Sequence, residues 1–121
     1  MITIYGLTTC RQTQKALAWF KAADIEYSFH DYKKEGISSQ KLTEWDSKVG
    51  YKSFLNTKGM SWRQLSQEEK QGVDGREAAL EIMFKMPRLI KRPAIEDGTF
   101  LYFGYDELTY ADHFNITKED I

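Results

Sequence analysis

The 121-residue sequence contains one cysteine, two prolines and almost no net charge. A single cysteine excludes an internal disulfide, and no apolar run approaches the roughly 20 residues that a membrane-spanning helix needs. Its 17 basic and 18 acidic residues give a net charge of −1, so we expect neither nucleic acid nor a membrane as a partner. The first residues lack the basic and apolar regions of a secretion signal, which predicts a cytoplasmic location where thiols stay reduced.

The apolar pattern predicts one α/β domain over residues 1–121. Alternating apolar residues predict strands at 2–5 and 26–32, and a helix from about Thr9 to Ala23 between them makes a parallel β-α-β unit. Capping signals, among them the pair Ser66 and Glu69, predict helices over about 38–86, with a polar loop at 55–63 between them. Asp97-Gly98 predicts a hairpin between strands at 93–96 and 99–103, and Asp106 caps a last helix. This order is that of a thioredoxin-like fold (β-α-β … β-β-α) with an all-helical insertion.

Helical spacing also predicts which side chains the helices bury. One predicted helix begins at the cap Ser38 or Ser39 and ends at Gly50, and its expected apolar face is Leu42, Trp45 and Val49. The expected apolar face of the final helix is Leu108, Ala111 and Phe114.

Cys10 lies where the first strand turns into the first helix. The first N–H groups of a helix have no intrahelical partner and the macrodipole is positive there, so a thiolate is favoured over a thiol. Arg11 adds a positive charge beside it. A free cysteine is often a small buried apolar residue, but a strand-to-helix turn is exposed and polar. We therefore interpret Cys10 as a nucleophile.

The segment Cys10-Arg11-Gln12-Thr13 is a Cys-x-x-Cys redox motif with threonine in place of the second cysteine. Without that cysteine the chain cannot resolve a mixed disulfide internally, so a second thiol must come from solution or from another protein. Thr13 lies one helical turn from Cys10. Its hydroxyl either donates a hydrogen bond to the thiolate or satisfies a backbone carbonyl of the helix.

Arg92-Pro93 precedes the third predicted strand, where a thioredoxin-like arrangement would bring it to the cysteine-bearing helix. The Arg92–Pro93 bond is a candidate for the cis form. The guanidinium could hold a carboxylate or an oxyanion and stabilise the thiolate. The alternative is a solvated charge at a strand end. Lys58 and Arg63, in the predicted loop, are candidates for a second positive wall. Nothing in the sequence predicts a metal site or a bound cofactor.

Several segments together resemble the arsenate-reductase-like (ArsC) family, and most closely its YffB-type subgroup. The residues that carry this resemblance are Ile4-Tyr5-Gly6 with Cys10, Phe29-His30-Asp31-Tyr32, Leu55-Asn56-Thr57-Lys58-Gly59 with Ser61-Trp62-Arg63, and Met86-Pro87 with Ile90-Lys91-Arg92-Pro93. The turn Gly104-Tyr105-Asp106-Glu107 is also similar to that of the Spx-type regulators of this family.

The resemblance implies a thioredoxin-like fold, a nucleophile at Cys10, and an active-site arginine with a cis-proline at Arg92-Pro93. It also implies a glutathione-dependent thiol reductase, with glutathione as co-substrate and an oxidised thiol or disulfide as substrate; Thr13, Arg11, Arg92 and Pro93 are the candidate binding residues. Arsenate reductases of the family use two further arginines, which align with Asn56 and a position near Gly104.

Two alternatives stay open from the sequence. The first is an arsenate reductase that uses the same cysteine on an oxyanion, with Lys58 or Arg63 compensating for the missing arginines. The second is a regulator that binds RNA polymerase, as Spx-type proteins do. Thr13 removes the two-cysteine redox motif that Spx-type switches commonly carry.

Overall fold

The computed structural model describes all residues from 1 to 121, which form two compact units. Unit 1 consists of two separate segments, Met1–Asp31 and Arg92–Ile121, and unit 2 is the segment Tyr32–Lys91 between them. The α/β thioredoxin-like class predicted from the sequence is confirmed. The single domain with an insertion at about 38–86 stays a prediction.

Unit 1 is built on a four-stranded mixed sheet with the strand order β2-β1-β3-β4. Strand β1 (Ile2–Gly6) pairs in parallel with β2 (Ser28–Asp31) and antiparallel with β3 (Ala94–Asp97), which continues through a hairpin into β4 (Phe100–Phe103). Helix α1 (Arg11–Ala22) makes the crossover between β1 and β2, and α7 (Glu107–Phe114) follows β4. A short 3₁₀ turn, Lys118–Asp120, follows α7.

One face of the sheet and the two helices enclose the core of unit 1. Its buried members come from β1, α1, the residue after α1, β3 and α7; they are Ile4, Ala16, Trp19, Phe20, Ala23, Ile95 and Tyr110. The rings of Trp19 and Phe20 pack against Tyr110 with centroids 5.4 and 5.6 Å apart. This packing fixes α1, and with it Cys10, relative to the sheet.

Unit 2 consists of short helices and turns. In chain order they are α2 (Tyr32–Glu35), α3 (Ser39–Val49), α4 (Met60–Arg63), α5 (Gln67–Gly72) and α6 (Arg76–Lys85), with 3₁₀ turns at Tyr51–Ser53 and Pro87–Leu89. Trp45 of α3 is fully buried and its ring meets Phe54 edge-on, with centroids 5.9 Å apart. An isolated antiparallel bridge joins Leu55 to Ile90. None of the helices in the chain is long and apolar enough to span a bilayer.

The predicted cap and turn residues have the expected roles. Ser38 accepts a hydrogen bond from the Lys41 N–H at the start of α3, and Ser66 forms a reciprocal capping box with Glu69 at the start of α5. The side chain of Asp106 accepts from the N–H groups of Leu108 and Thr109.

Several boundaries and faces differ from the prediction. Helix α1 begins at Arg11 rather than near Thr9, because the Cys10 N–H donates to the Leu7 carbonyl and closes a turn before the helix. Strand β2 is shorter than 26–32, since its pairing with β1 ends at Asp31 and the chain then enters α2. The short helices α2 and α4 were not predicted.

Two expected core residues are on the surface. Val49, in the last turn of α3, is 40% exposed and Leu108, in the first turn of α7, is 82% exposed. The residue of α7 that is fully buried is Tyr110, whose ring packs against the aromatic side chains of α1 and β4.

Candidate active site around Cys10

Cys10 is the N-cap of α1 and lies half-buried after a tight turn from β1. Its N–H donates to the Leu7 carbonyl at 3.0 Å, and its own carbonyl accepts from the Gln14 N–H at 3.0 Å. The side-chain amide of Gln14 reaches back to the Thr8 carbonyl at 2.7 Å. The thiol is therefore on a backbone segment that three hydrogen bonds hold at the positive end of a helix dipole.

The surroundings of the sulfur favour its ionised form. Partial burial raises the pKa of the Cys10 thiol, but the Thr13 N–H, the Arg92 guanidinium and the Thr13 hydroxyl interact with the sulfur, and the charge of Arg92 adds to them, so that the pKa is below its ordinary value. The sulfur makes no capping hydrogen bond of ordinary geometry. These donors thus act by favouring the thiolate, which accepts hydrogen bonds far better than a thiol does.

Thr13 lies in the first turn of α1 and is completely buried. Its hydroxyl oxygen is 3.5 Å from the Leu7 N–H, a long contact in which the oxygen is the acceptor. The Thr13 side chain is also one of the groups that lower the pKa of the partly buried Cys10 thiol, as a hydroxyl that donates to the thiolate would do. Of the two predicted roles of Thr13, this arrangement favours donation to the thiolate over donation to a helix carbonyl.

Arg92 and Pro93 immediately precede β3, and the peptide bond between them is cis. Pro93 is buried and Arg92 is half-buried. The Pro93 carbonyl accepts a hydrogen bond from the Gly104 N–H at 2.8 Å, which extends the β3–β4 pairing by one residue beyond the Ala94–Phe103 pair. The Arg92 side chain thereby belongs to a segment that the sheet holds, and it is one of the groups that lower the pKa of the half-buried Cys10 thiol.

Two further residues support this segment and were not predicted from the sequence. The Gly104 carbonyl accepts a hydrogen bond from the hydroxyl of Tyr110, which is completely buried in the core. Gly104 has a φ of +114°, which a residue with a side chain rarely adopts. In the sequence Gly104 stood out only as part of the turn similar to that of Spx-type regulators, and no pattern indicated that its carbonyl would accept from the Tyr110 hydroxyl six residues later.

The other candidate residues lie elsewhere. Arg11 is exposed, and it is not among the groups that lower the pKa of the partly buried Cys10 thiol, although its position in the sequence suggested that it would be. Lys58 and Arg63 are exposed residues of unit 2; the Lys58 N–H closes a turn onto the Asn56 side chain at 3.2 Å, and Arg63 ends α4. Their role stays a prediction. No three His, Cys, Asp or Glu side chains are grouped as a metal ion requires.

Known proteins of similar sequence cover nearly the whole chain. The sequence profile of the ArsC family matches residues 5–113. An uncharacterized protein of Haemophilus influenzae is 36% identical over 115 residues, which are 94% of this chain and 99% of that protein. The global transcriptional regulator Spx of Lactiplantibacillus plantarum is 27% identical over 113 residues, which are 88% of this chain and 81% of the regulator.

Solved structures show the same relationship. The YFFB protein superposes with a TM-score of 0.85 at 34% identity, over 93% of this chain and 97% of its own. An arsenate reductase (ArsC) related protein from Brucella melitensis has a TM-score of 0.73 at 34% identity, over 95% of each chain. The resemblance inferred from the sequence is confirmed, and the chain belongs to the ArsC family, with arsenate-reductase-like proteins and Spx regulators among its relatives.

Proposed function

We propose that this protein is a thiol-disulfide reductase in which Cys10 is the nucleophile and glutathione is the resolving thiol. The observation that supports this proposal most is the set of donors around one sulfur: Thr13 and Arg92 both favour the Cys10 thiolate. The chain has no second cysteine, so a mixed disulfide formed at Cys10 persists until an external thiol attacks it.

The reaction has two exchange steps at Cys10. In the first, the Cys10 thiolate attacks one sulfur of a substrate disulfide; the disulfide bond breaks, a Cys10–substrate disulfide forms, and the other sulfur leaves as a thiolate that takes a proton from water. In the second, the glutathione thiolate attacks the substrate-derived sulfur and releases Cys10 as the thiolate. These two steps consume one glutathione thiol and leave the other half of the substrate as a mixed disulfide with glutathione. A second glutathione thiolate then attacks the glutathione sulfur of that mixed disulfide, which releases the remaining substrate thiol and forms glutathione disulfide, so the two electrons that reduce the substrate come from two glutathione thiols.

The roles of the other residues follow from their chemistry. The Arg92 guanidinium has two parallel donors that fit a carboxylate, and glutathione carries two carboxylates. Pro93 fixes the backbone beside Arg92, and exposed Arg11 is available to a bound anion at the start of α1. Lys58 and Arg63 are secondary candidates for the same purpose. The proposal includes a cytoplasmic location, where glutathione keeps thiols reduced.

Mass spectrometry after exposure to oxidised glutathione tests the proposal. We expect one adduct of glutathione mass on Cys10, its removal by reduced glutathione, and turnover of a small disulfide in an assay coupled to glutathione disulfide reductase. Cys10→Ser should abolish all three, while Lys91→Ala, which removes an exposed charge next to Arg92, should leave them unchanged. An adduct that reduced glutathione cannot remove would contradict the proposal.

The relatives support two other functions, and the same samples test them. Arsenate reduction, suggested by the arsenate reductase related structure, predicts glutathione-dependent turnover of arsenate that Cys10→Ser abolishes. A regulatory role, suggested by the Spx relatives, predicts binding to purified RNA polymerase that Cys10→Ser leaves intact. Either result, without turnover of a disulfide, would replace the thiol reductase as the function of the chain.

A further inference from the structure

Gly6, the last residue of β1, is a buried glycine whose backbone does not require glycine. It pairs with Asp31 in the parallel ladder and has no positive φ, unlike four other glycines of the chain. Any residue type can adopt this extended conformation. The reason for glycine at this position must therefore be space rather than backbone geometry.

Thr13 occupies the space that a side chain at residue 6 would need. A Cβ atom on Gly6 would lie 2.5 Å from the Thr13 hydroxyl oxygen and 2.7 Å from its methyl carbon. Both distances are far below van der Waals contact, and Thr13 is completely buried, so its branched side chain has no solvent to move into. A methyl group at residue 6 would have to displace the Thr13 side chain.

The position of the Thr13 hydroxyl also fixes the direction of its proton. A hydroxyl has one proton to donate and lone pairs to accept with. The Leu7 N–H approaches the oxygen from the turn that follows Gly6. The proton is then available to Cys10, the N-cap residue one helical turn before Thr13, and the Thr13 side chain is one of the groups that lower the pKa of that thiol.

We propose that Gly6 is a positioning residue for the Cys10 thiolate: by carrying no side chain it allows Thr13 to pack against β1 with its hydroxyl directed at the sulfur. This inference rests on the proposed role of Cys10 as a nucleophile, and it adds a residue that acts on the sulfur through Thr13 and has no side chain of its own. The thiolate then has two supports from different parts of unit 1: Gly6 at the end of β1, which acts through Thr13, and Arg92 just before β3.

The test compares Gly6→Ala, Thr13→Ala and the double variant in the full chain. Thiolate absorbance against pH gives the thiol pKa, and the rate of alkylation by iodoacetamide gives the reactivity without any need for glutathione. Gly75→Ala is the control, since Gly75 is extended and a Cβ there meets nothing within 4 Å. The free energy of unfolding in urea is measured for each variant.

We expect Gly6→Ala and Thr13→Ala each to raise the thiol pKa and to lower the thiolate fraction at a pH below it by about tenfold, because each loses a hydrogen bond to a charged group. In the Thr13→Ala background the Gly6→Ala change should have no further effect on the pKa, and it should cost less stability there than in the wild type. A wild-type pKa in Gly6→Ala, or an equal rise with and without the Thr13 side chain, would overturn the inference.

If Gly6→Ala does not fold, the double variant Gly6→Ala/Thr13→Ala tests the inference in its place. Recovery of the fold together with the thiol pKa of Thr13→Ala supports the inference, and a double variant that also fails to fold overturns it. The iodoacetamide assay needs neither a glutathione adduct nor turnover of a disulfide. A failure of the proposed glutathione-dependent function can therefore be told apart from a failure of the inference about Gly6.

Discussion

Replacing Arg92 by alanine should raise the pKa of the Cys10 thiol and weaken the binding of glutathione, and iodoacetamide and oxidised glutathione together can distinguish these two effects. The guanidinium is one of the donors that interact with the Cys10 sulfur. A hydrogen bond to a charged group contributes about 1.5–3 kcal/mol, and Arg92 is half-buried, so solvent screening places the loss at the lower end of that range. Since 1.36 kcal/mol is one power of ten, the thiolate fraction below the pKa should fall by about tenfold.

The rate falls by less than the thiolate fraction. A more basic thiolate is a better nucleophile, and with a Brønsted coefficient of about 0.4–0.5 a tenfold loss of thiolate is offset by about threefold higher reactivity of each remaining thiolate. With iodoacetamide, Arg92→Ala should therefore react about threefold more slowly than the wild type at a pH below both pKa values, and faster than the wild type at a pH above both.

The rate of reaction with oxidised glutathione tests the second proposed role of Arg92, which is to bind a carboxylate of glutathione. If the guanidinium also binds a glutathione carboxylate, Arg92→Ala should remain slower than the wild type with this reagent even when both thiols are fully ionised. Arg92→Lys keeps the charge but loses the paired donors, so it should retain most of the iodoacetamide rate and lose the advantage with glutathione. Lys91→Ala is the matched control. An unchanged thiol pKa and unchanged rates in Arg92→Ala would refute both roles.

Three further outcomes follow from the structure. Thr13→Cys should form a disulfide with Cys10 and release a bound substrate without glutathione, as mass spectrometry of the trapped intermediate would show; a continued need for glutathione would mean that residue 13 does not reach the sulfur. Burial raises the pKa of the Cys10 thiol but its donors lower it more, so the stability of the wild type relative to Cys10→Ser, measured in urea with a reductant, should be lowest below the folded-state pKa. It should rise with pH until the ordinary pKa of an unfolded thiol, about 8.5, is passed; a difference that does not change with pH would contradict a stabilised thiolate. The Asp46 side chain is 11% exposed and accepts hydrogen bonds from the Arg76 guanidinium and, at 2.7 Å, from the Tyr51 N–H. Asp46→Ala should therefore lower the free energy of unfolding by about 2 kcal/mol, whereas Arg76→Ala, which removes a side chain that is 49% exposed, should lower it by less than about 1 kcal/mol. A larger loss in Arg76→Ala than in Asp46→Ala would show that the ion pair dominates.

Features of the fold that depend on local chemistry could be predicted from the sequence. Asp97-Gly98 indicated a hairpin because the turn needs a positive φ, and Gly98 has a φ of +60°. Leu108 was misplaced because periodicity gives the width of an apolar stripe but not its centre. The centre of the buried face of α7 is Tyr110, because its ring packs against rings of α1 and β4 and its hydroxyl donates to the Gly104 carbonyl.

In the candidate site, too, features that depend on local spacing could be predicted from the sequence and features that depend on the tertiary fold could not. Thr13 was found because one helical turn separates it from Cys10, and that spacing is local. Arg11 was credited with an effect on the thiol because it is adjacent in sequence, but in the structure Arg92 is the charged residue that acts on the sulfur. Neither the long-range approach of Arg92 to Cys10 nor the contacts across a turn, such as Tyr110 with Gly104 and Gly6 with Thr13, leave a pattern in a single sequence.

The division of unit 1 into two segments has a consequence for its synthesis on the ribosome. The chain leaves unit 1 after Asp31 and returns to it at Arg92, so translation at about 5–20 residues per second separates Cys10 from Arg92 by roughly 4–16 seconds. During that interval β1 lacks its central neighbour β3, and the nascent thiol lacks its guanidinium. The cysteine therefore meets the guanidinium that lowers its thiol pKa only when the second segment of unit 1 has been made and β3 has joined the sheet.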